Sequence, residues 1–296
     1  MMLSGNEREV CMEVGIGLPN AVTGTTGEQL VEWARRAEAR GFTTLGTIDR
    51  VVFSNYEPLT ALAAAAAVTE RIGLTTAVLL APLRENAAAL AKQALSVHAF
   101  SGGRLTLGIG LGARDDDYEL SGVDMHGRGR RLDQMLEKIE EIWSGDEVGP
   151  STAGAPRLVV GGHADASFAR AARFGEGWIA GGAPPSEYPG LVERLKAAWA
   201  EAGREGEPRA MGLTYFSLGE RAAESARAYA HDYYNWLGPD AADYLASTAA
   251  QDGEAVRKYL SGFEDAGCGE LILFPSSSDP EQVDLLADAV GEWRDG

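Results

Sequence analysis

Short apolar runs alternate with amphipathic helical patterns along the whole chain, which predicts an α/β fold of one kind, a single (β/α)8 TIM barrel. Three observations carry this. The alternation runs through eight β/α units. The strand-like runs are nearly free of charge, as strands of a parallel sheet covered by helices on its faces must be. The 296 residues only modestly exceed the roughly 250 of a typical closed barrel. No Pro-, Gly- or Ser-rich stretch is long enough to divide the chain, so residues 11–296 read as one barrel behind an N-terminal tail, residues 1–10.

Taken in order, Glu13 to Leu18 is the first strand. Thr25 and Glu28 have the spacing of a capping box and open a helix with Leu30, Trp33, Ala34 and Ala37 on one face, ending at Gly41. Phe42 to Ile48 is the second strand, Glu57 to Arg71 an alanine-rich helix, and Gly73 to Leu80 an uncharged third strand. Asn86 to Phe100 is helical, Arg104 to Leu111 is the fourth strand, and Arg128 to Trp143 is an amphipathic helix with Leu132, Met135, Leu136, Ile139, Ile142 and Trp143 inward. The later strands are Arg157 to Val160, Gly177 to Ala180, Ala210 to Ser217 and Glu270 to Phe274. Helices at Ala164 to Phe174, Glu187 to Ala202 and Glu220 to Trp236 alternate with them. Helical material from Tyr229 to Asp252 exceeds what one unit needs and reads as an insertion before the last unit. Asp279, Pro280 and Gln282 supply an N-cap, a proline at N1 and a capping-box partner for the final helix.

A net charge of -18 repels phosphate backbones and anionic lipid, which argues against nucleic acid and membrane partners. Two cysteines, Cys11 and Cys268, make neither a disulfide framework nor a zinc site, and they suit a reducing cytoplasm. Met1 to Val10 has no apolar h-region, so no signal peptide is expected. The most apolar stretch, Leu59 to Val68, is too short to span a bilayer. Its small side chains allow close helix approach, which makes the helices near the second and third units the expected dimer contact.

Several chemistries are set aside by spacing. The chain has no phosphate-binding G-x-x-x-x-G-K-[ST] loop and no G-x-S-x-G elbow. The four histidines are scattered with no H-E-x-x-H pair, so no metal is assigned. Gly108, Gly110 and Gly112 form G-x-G-x-G rather than the dinucleotide spacing. Two other features do point to a ligand. In Leu105 to Gly112 side chains alternate between faces, so Leu105, Leu107, Ile109 and Leu111 share one side, and Thr106, Gly108, Gly110 and Gly112 the other. That second face either admits a planar ring against bare backbone or relieves crowding inside the barrel. Gly161, Gly162 and His163 stand between a strand and a helix, with Ser167 in the first turn. They are either a phosphate seat at a helix N-terminus or an ordinary tight turn.

The blocks Ile72 to Arg84, Ala91 to Ala94, Ser101 to Gly112, Gly122 to Met125 with Arg128 and Arg131, and Val160 to Gly162 with Ala171 to Trp178 occur in one order over nearly the whole chain. Together they resemble the luciferase-like monooxygenase family. The resemblance implies an enzyme on a barrel, usually a homodimer, that uses FMN or the deazaflavin F420 on a small organic substrate, with a separate flavin reductase as a partner. It also implies a cis peptide or bulge at Ala77–Val78 supporting the ring, with Gly108, Gly110 and Gly112 beside it. By the same resemblance Arg130 or Arg131 joins Gly161, Gly162 and His163 at the phosphate, with Ser167 close by in the first turn, and Gly177, Trp178 and Ile179 lie near the cofactor.

Two departures stand out. Many relatives carry Asp/Glu-His at the end of the second strand, where this chain has Asp49–Arg50. These two are the candidate catalytic pair, Arg50 facing an anionic reduced flavin or substrate, or else forming a surface ion pair with Asp49. The Ser144 to Pro156 connection is short, which implies a more open or differently lidded site. The leading reading is an FMN-linked monooxygenase. An F420-dependent oxidoreductase of the same fold and a non-catalytic flavin-binding protein are the alternatives.

Overall fold

The computed structural model describes residues 12–296; the expected tail, residues 1–10, and Cys11 lie outside them. The elements are β1 (Glu13–Gly17), α1 (Gly27–Ala39), β2 (Thr44–Thr47), α2 (Pro58–Ala66), β3 (Gly73–Thr76), β4 (Leu79–Leu80), α3 (Ala87–Phe100), β5 (Leu105–Gly110), α4 (Asp115–Leu120) and α5 (Arg128–Ser144). They continue as β6 (Arg157–Gly161), α6 (Asp165–Phe174), β7 (Gly177–Gly181), α7 (Tyr188–Glu201), β8 (Arg209–Phe216), α8 (Ala222–Tyr233), α9 (Pro239–Thr248), α10 (Gly253–Asp265), β9 (Glu270–Pro275) and α11 (Glu281–Asp295). Every strand pairing is parallel, β1 lies between β2 and β9, and β5 pairs with both β3 and β4. The sheet therefore closes. β3 and β4 are one interrupted stave, and the barrel has the eight parallel staves that the sequence predicts.

Alternation along each stave sorts the core into two layers. Val14, Leu45, Leu107, Trp178 and Leu271 point outward and pack with the helices, while Val159, Ile179, Met211, Ile272 and Phe274 cluster inside. Phe274 fills the space that glycines leave on the neighbouring staves, since a Cβ on Gly46 would come within 2.8 Å of its ring. At the amino end of the barrel Glu270, wholly buried, pairs with Arg209. No helix among the described residues is long and apolar enough to cross a membrane.

Several local expectations shift. The capping box of α1 is made by Thr26 and Gln29, one position on from Thr25 and Glu28. Thr25 instead hydrogen-bonds the carbonyls of Pro19 and Val22. Helix α11 starts one residue later than expected, at Glu281, with Pro280 itself at the N-cap position and no side-chain cap. Asp279 accepts from the Glu281 N–H at 3.0 Å just before it, and the Gln282 amide is no capping partner. It bridges the Leu218 N–H and C=O at 2.8 Å each, tying α11 to the end of β8. The third strand breaks after Thr76 because the chain turns inward at Ala77–Val78 and resumes as β4. The Ser144 to Pro156 connection leads into the amino end of β6 and packs on the end of α3, where His98 Nε2 lies 3.2 Å from the Ala153 carbonyl. It is at the opposite end of the barrel from the carboxyl-end loops and cannot lid them. The Tyr229 to Asp252 insertion is present, as the end of α8, a 3-10 turn at Asn235–Leu237, and α9.

The break in the third stave depends on Gly108, where an added Cβ would overlap the Thr76 carbonyl oxygen. Backbone cannot yield as a flexible side chain does. Gly108→Ala is therefore expected to destabilise the fold by about 1–3 kcal/mol, the usual cost of overpacking a filled interior. Urea unfolding would check this, and a loss below about half a kcal/mol, within the scatter of neutral surface changes, would show that the approach is slack.

Candidate functional site

At the carboxyl ends of the staves the backbone shapes two adjoining hollows. The first, about 330 Å³, is lined by Ala77, Val78, Gly161, Gly162, His163, Ile179, Gly181 and Leu213. The second, about 440 Å³, shares Ala77, Val78, Gly181 and Leu213 with it and extends to Asp49, Arg50 and Arg114 and to the aromatic segment after α8. Both are mostly apolar. The second is a chamber walled by Tyr215, Tyr233, Tyr234 and Trp236.

The peptide Ala77–Val78 is cis, with no proline in it, as the resemblance implies. It forms the ridge between the two hollows. The Ala77 N–H donates to Thr47 O at 2.7 Å, and Thr76 Oγ1 donates to Gly108 O at 2.6 Å. The glycine face of β5 does not meet the hollows as open backbone. Gly108 is covered by the Thr76 carbonyl, Val78 Cγ2 would lie 2.6 Å from a Cβ on Gly110, and Leu80 Cδ1 would lie 3.2 Å from one on Gly112. Only Gly112 of the three borders the chamber. The glycines thus relieve crowding beneath the ridge, and Val78 stands between this face and the hollows.

Asp49 and Arg50 are both buried, and they do not pair with each other. Asp49 Oδ2 accepts the Leu80 N–H at 2.8 Å and Arg84 Nη1 at 2.6 Å, so it anchors the chain where β4 restarts. Burial pushes its carboxyl above the ordinary range, with Arg84 opposing. Arg50 Nε donates to Asp117 at 2.8 Å and its Nη2 to Asp116 at 2.9 Å. Asp117 also accepts the N–H groups of Val51 and Val52 at 2.9 and 2.6 Å. The surface ion pair between neighbours is replaced by two buried pairs that stitch the loops after β2, β4 and β5 together.

Gly162 has φ 125°, a left-handed region open to glycine, and an added Cβ would lie 2.5 Å from Ser167 Oγ. Gly162 and Ser167 are therefore brought together. The Trp178 Nε1–H donates to Gly162 O at 2.6 Å and fixes the turn. Ala164 offers no side-chain cap to α6, so its first-turn N–H groups have no side-chain acceptor among the described residues. His163 is exposed beside Trp178, their ring centroids 6.2 Å apart. Arg131 donates to Asp124 O at 2.9 Å in the loop before α5, and Arg130 is exposed. Neither makes a hydrogen bond to Gly161–Ser167 among the described residues. Gly177 lies at the amino end of β7, where a Cβ would overlap the Arg209 carbonyl; Trp178 is wholly buried. From β7 it is Ile179 and Gly181 that line the hollows.

The chamber wall was not foreseen. Tyr215 and Tyr234 share a hydrogen bond between their hydroxyls at 2.6 Å, and burial pushes both phenols above the usual tyrosine range. Both are therefore neutral near pH 7. Arg114 and Asp117 flank the start of α4. Two signals were present: the aromatic run Tyr233-Tyr234-Asn235-Trp236 inside the insertion, and the acidic run Asp115 to Asp117 directly after an arginine.

The family described as luciferase-like monooxygenase matches residues 12–294. An uncharacterized protein of Mycobacterium tuberculosis is 33% identical over 207 residues, 58% of this chain and 71% of that one. Among solved structures, an F420-dependent secondary alcohol dehydrogenase with an F420-acetone adduct superposes with a TM-score of 0.78 at 18% identity, over 96% of this chain and 99% of that one. The monooxygenase RslO1 from Streptomyces bottropensis superposes at 0.77 and 21% identity, over 95% and 99%. At these identities the two structures establish the shared fold.

Asp49 is the anchor whose removal tests this geometry. Asp49→Ala leaves the Leu80 N–H and the Arg84 guanidinium without their acceptor. A loss of about 3–5 kcal/mol is expected, as when one partner of a buried pair is deleted. Asp49→Asn should lose less, because its amide oxygen still accepts from Leu80. Equal unfolding midpoints for the parent and the alanine variant would remove the anchoring role.

Proposed function

The chain belongs to the luciferase-like monooxygenase family, and on that premise we propose that it is an FMN-linked monooxygenase acting on a small organic substrate with reduced flavin and dioxygen. One observation carries the choice. Both carboxylates that line the chamber, Asp49 and Asp117, are already held in ion pairs and by backbone N–H groups. Dehydrogenation of an alcohol by a chamber carboxylate needs one that is free to take the hydroxyl proton, and neither is. When bound, reduced FMN supplies the electrons that activate dioxygen, and the chain's own contribution is binding, orientation and exclusion of water.

The residues fit such a group. Ala77, Val78, Ile179 and Leu213 offer a ring an apolar bed, and Gly161 and Gly181 leave it unobstructed. Gly161, Gly162, His163 and Ser167 are assigned to the phosphate, with Arg130 or Arg131 supplying charge from α5. Arg50 holds the loops after β2 and β5 in place behind the chamber and acts by positioning. A separate reductase supplies the reduced flavin in the cytoplasm. F420-dependent reduction of a carbonyl is the second reading, favoured by the Tyr215–Tyr234 hydroxyl pair, whose neutral phenols can deliver a proton to a substrate oxygen.

Separate fluorescence titrations with FMN, FAD and F420, followed by oxygen uptake with enzymatically reduced FMN, decide between the two. The expected result is tight FMN binding and substrate-dependent oxygen uptake; binding of F420 alone would replace FMN monooxygenation with the second reading. Gly162→Asp and Val78→Asp each place a negative charge in the cradle and should weaken FMN by roughly 10- to 100-fold, the worth of a charge-assisted contact. Parent-like affinity in either variant would move the ring or the phosphate elsewhere.

A homodimer through α2 and α3 is also proposed, on the small side chains of α2. Sedimentation at micromolar concentration is expected to give a dimer, and a monomer alone would overturn the assignment.

A further inference from the structure

We propose that Arg114 is a recognition residue for a carboxylate on the substrate, so that the enzyme acts on organic monoacids with an apolar body. The inference rests on the reading of the 440 Å³ chamber as the substrate compartment beside the cofactor. Arg114 is 8% exposed, and its Nη1 is buried with no hydrogen-bond partner among the described residues. It lines the chamber. Its guanidinium carbon lies 4.5 Å from the Tyr233 ring centroid, 5.1 Å from that of Trp236 and 5.7 Å from that of Tyr234.

What surrounds this cation sets it apart in a chain of net charge -18. It directly precedes Asp115, Asp116 and Asp117, yet pairs with none of them. Asp116 and Asp117 are taken by Arg50, Asp49 is taken by Arg84, and Asp115 is exposed. Arg114 alone among the chamber's charges has no counter-ion among the described residues. Aromatic faces attract a cation but accept no hydrogen bond in the guanidinium plane, and a buried N–H without an acceptor stays costly. A guanidinium matches a carboxylate in plane and in donor spacing. One unanswered positive charge calls for one negative charge, which favours a carboxylate over a phosphate dianion. The rest of the chamber, Leu213, Leu237, Leu245 and the aromatic rings, suits an apolar body.

The test uses benzoate and its neutral isostere benzamide as probes, titrated calorimetrically into the purified protein without cofactor. The parent is expected to prefer benzoate by roughly 10-fold or more, Arg114→Met to lose roughly 10- to 100-fold in benzoate affinity while keeping that for benzamide, and Arg114→Lys to fall between. Arg114→Met should melt no lower than the parent, because it removes an uncompensated buried charge. Equal binding of the two probes by the parent, no benzoate binding at millimolar concentration, or unchanged benzoate binding in Arg114→Met overturns the proposal. So does a loss of FMN affinity in Arg114→Met, which would make the residue a cofactor contact. A parent that selects benzoate through Arg114 but binds neither FMN nor F420 would sink the cofactor reading and leave the carboxylate site standing.

Discussion

Everything at the carboxyl end of the barrel depends on how closely the Thr76 carbonyl approaches the α-carbon of Gly108. With no side chain at that position, the third stave can press onto the fifth and lock there through the Thr76 hydroxyl on the Gly108 carbonyl. Beyond that contact the next two residues, Ala77 and Val78, turn toward the barrel axis. Gly110 and Gly161 then leave room for the Val78 side chain, and Asp49 captures the Leu80 N–H as the strand resumes. One stave thus supplies both the wall of the barrel and the ridge across its mouth.

The ion pairs around that ridge act on geometry more than on stability. Removing charges such as Asp117 and Arg50 from water costs about what their attraction returns. What the pairs contribute is register. Asp117 draws the loop after β2 to the start of α4 by binding Arg50 and the two N–H groups that follow it, and Asp49 draws the end of β2 to β4. Loops that would otherwise move independently become one rim. The groups that remain free to address a ligand are then few: the Tyr215–Tyr234 hydroxyl pair, the glycine turn before α6, and Arg114.

The barrel itself was legible in the sequence because its causes are local and periodic. Uncharged runs such as Leu105 to Leu111 and amphipathic helices such as Arg128 to Trp143 report their faces directly. The ridge was legible only through resemblance, since nothing in an alanine followed by a valine announces a turn toward the axis. The glycine face was seen, but not what covers it, because Val78 reaches Gly110 and Gly161 across stave pairings that no spacing encodes. Asp49–Arg50 reads in sequence either as a catalytic pair with Arg50 toward flavin or substrate or as a mutual ion pair, and neither reading contains the partners that alternation of side chains selects, Arg84 for one and Asp117 for the other. Gly177 was misplaced along the axis, as strand polarity puts it at the amino end. The chamber's aromatic wall was present as a run of rings, but inside an insertion read only for its helical pattern.

Apart from Tyr215, which is set into β8, that wall belongs to a different part of the chain from the ridge it faces. Val78, Gly161 and Ile179 are set into staves, where any change is felt through the closed sheet, whereas Tyr233 to Leu237 sit on a connection outside it, with Trp236 and Leu237 nearly half exposed. A gene can lengthen, shorten or redecorate that connection without disturbing the staves. Descendants of such a barrel are therefore free to exchange the molecules they accept while inheriting the same reactive floor, and selectivity can drift at the pace of a surface loop.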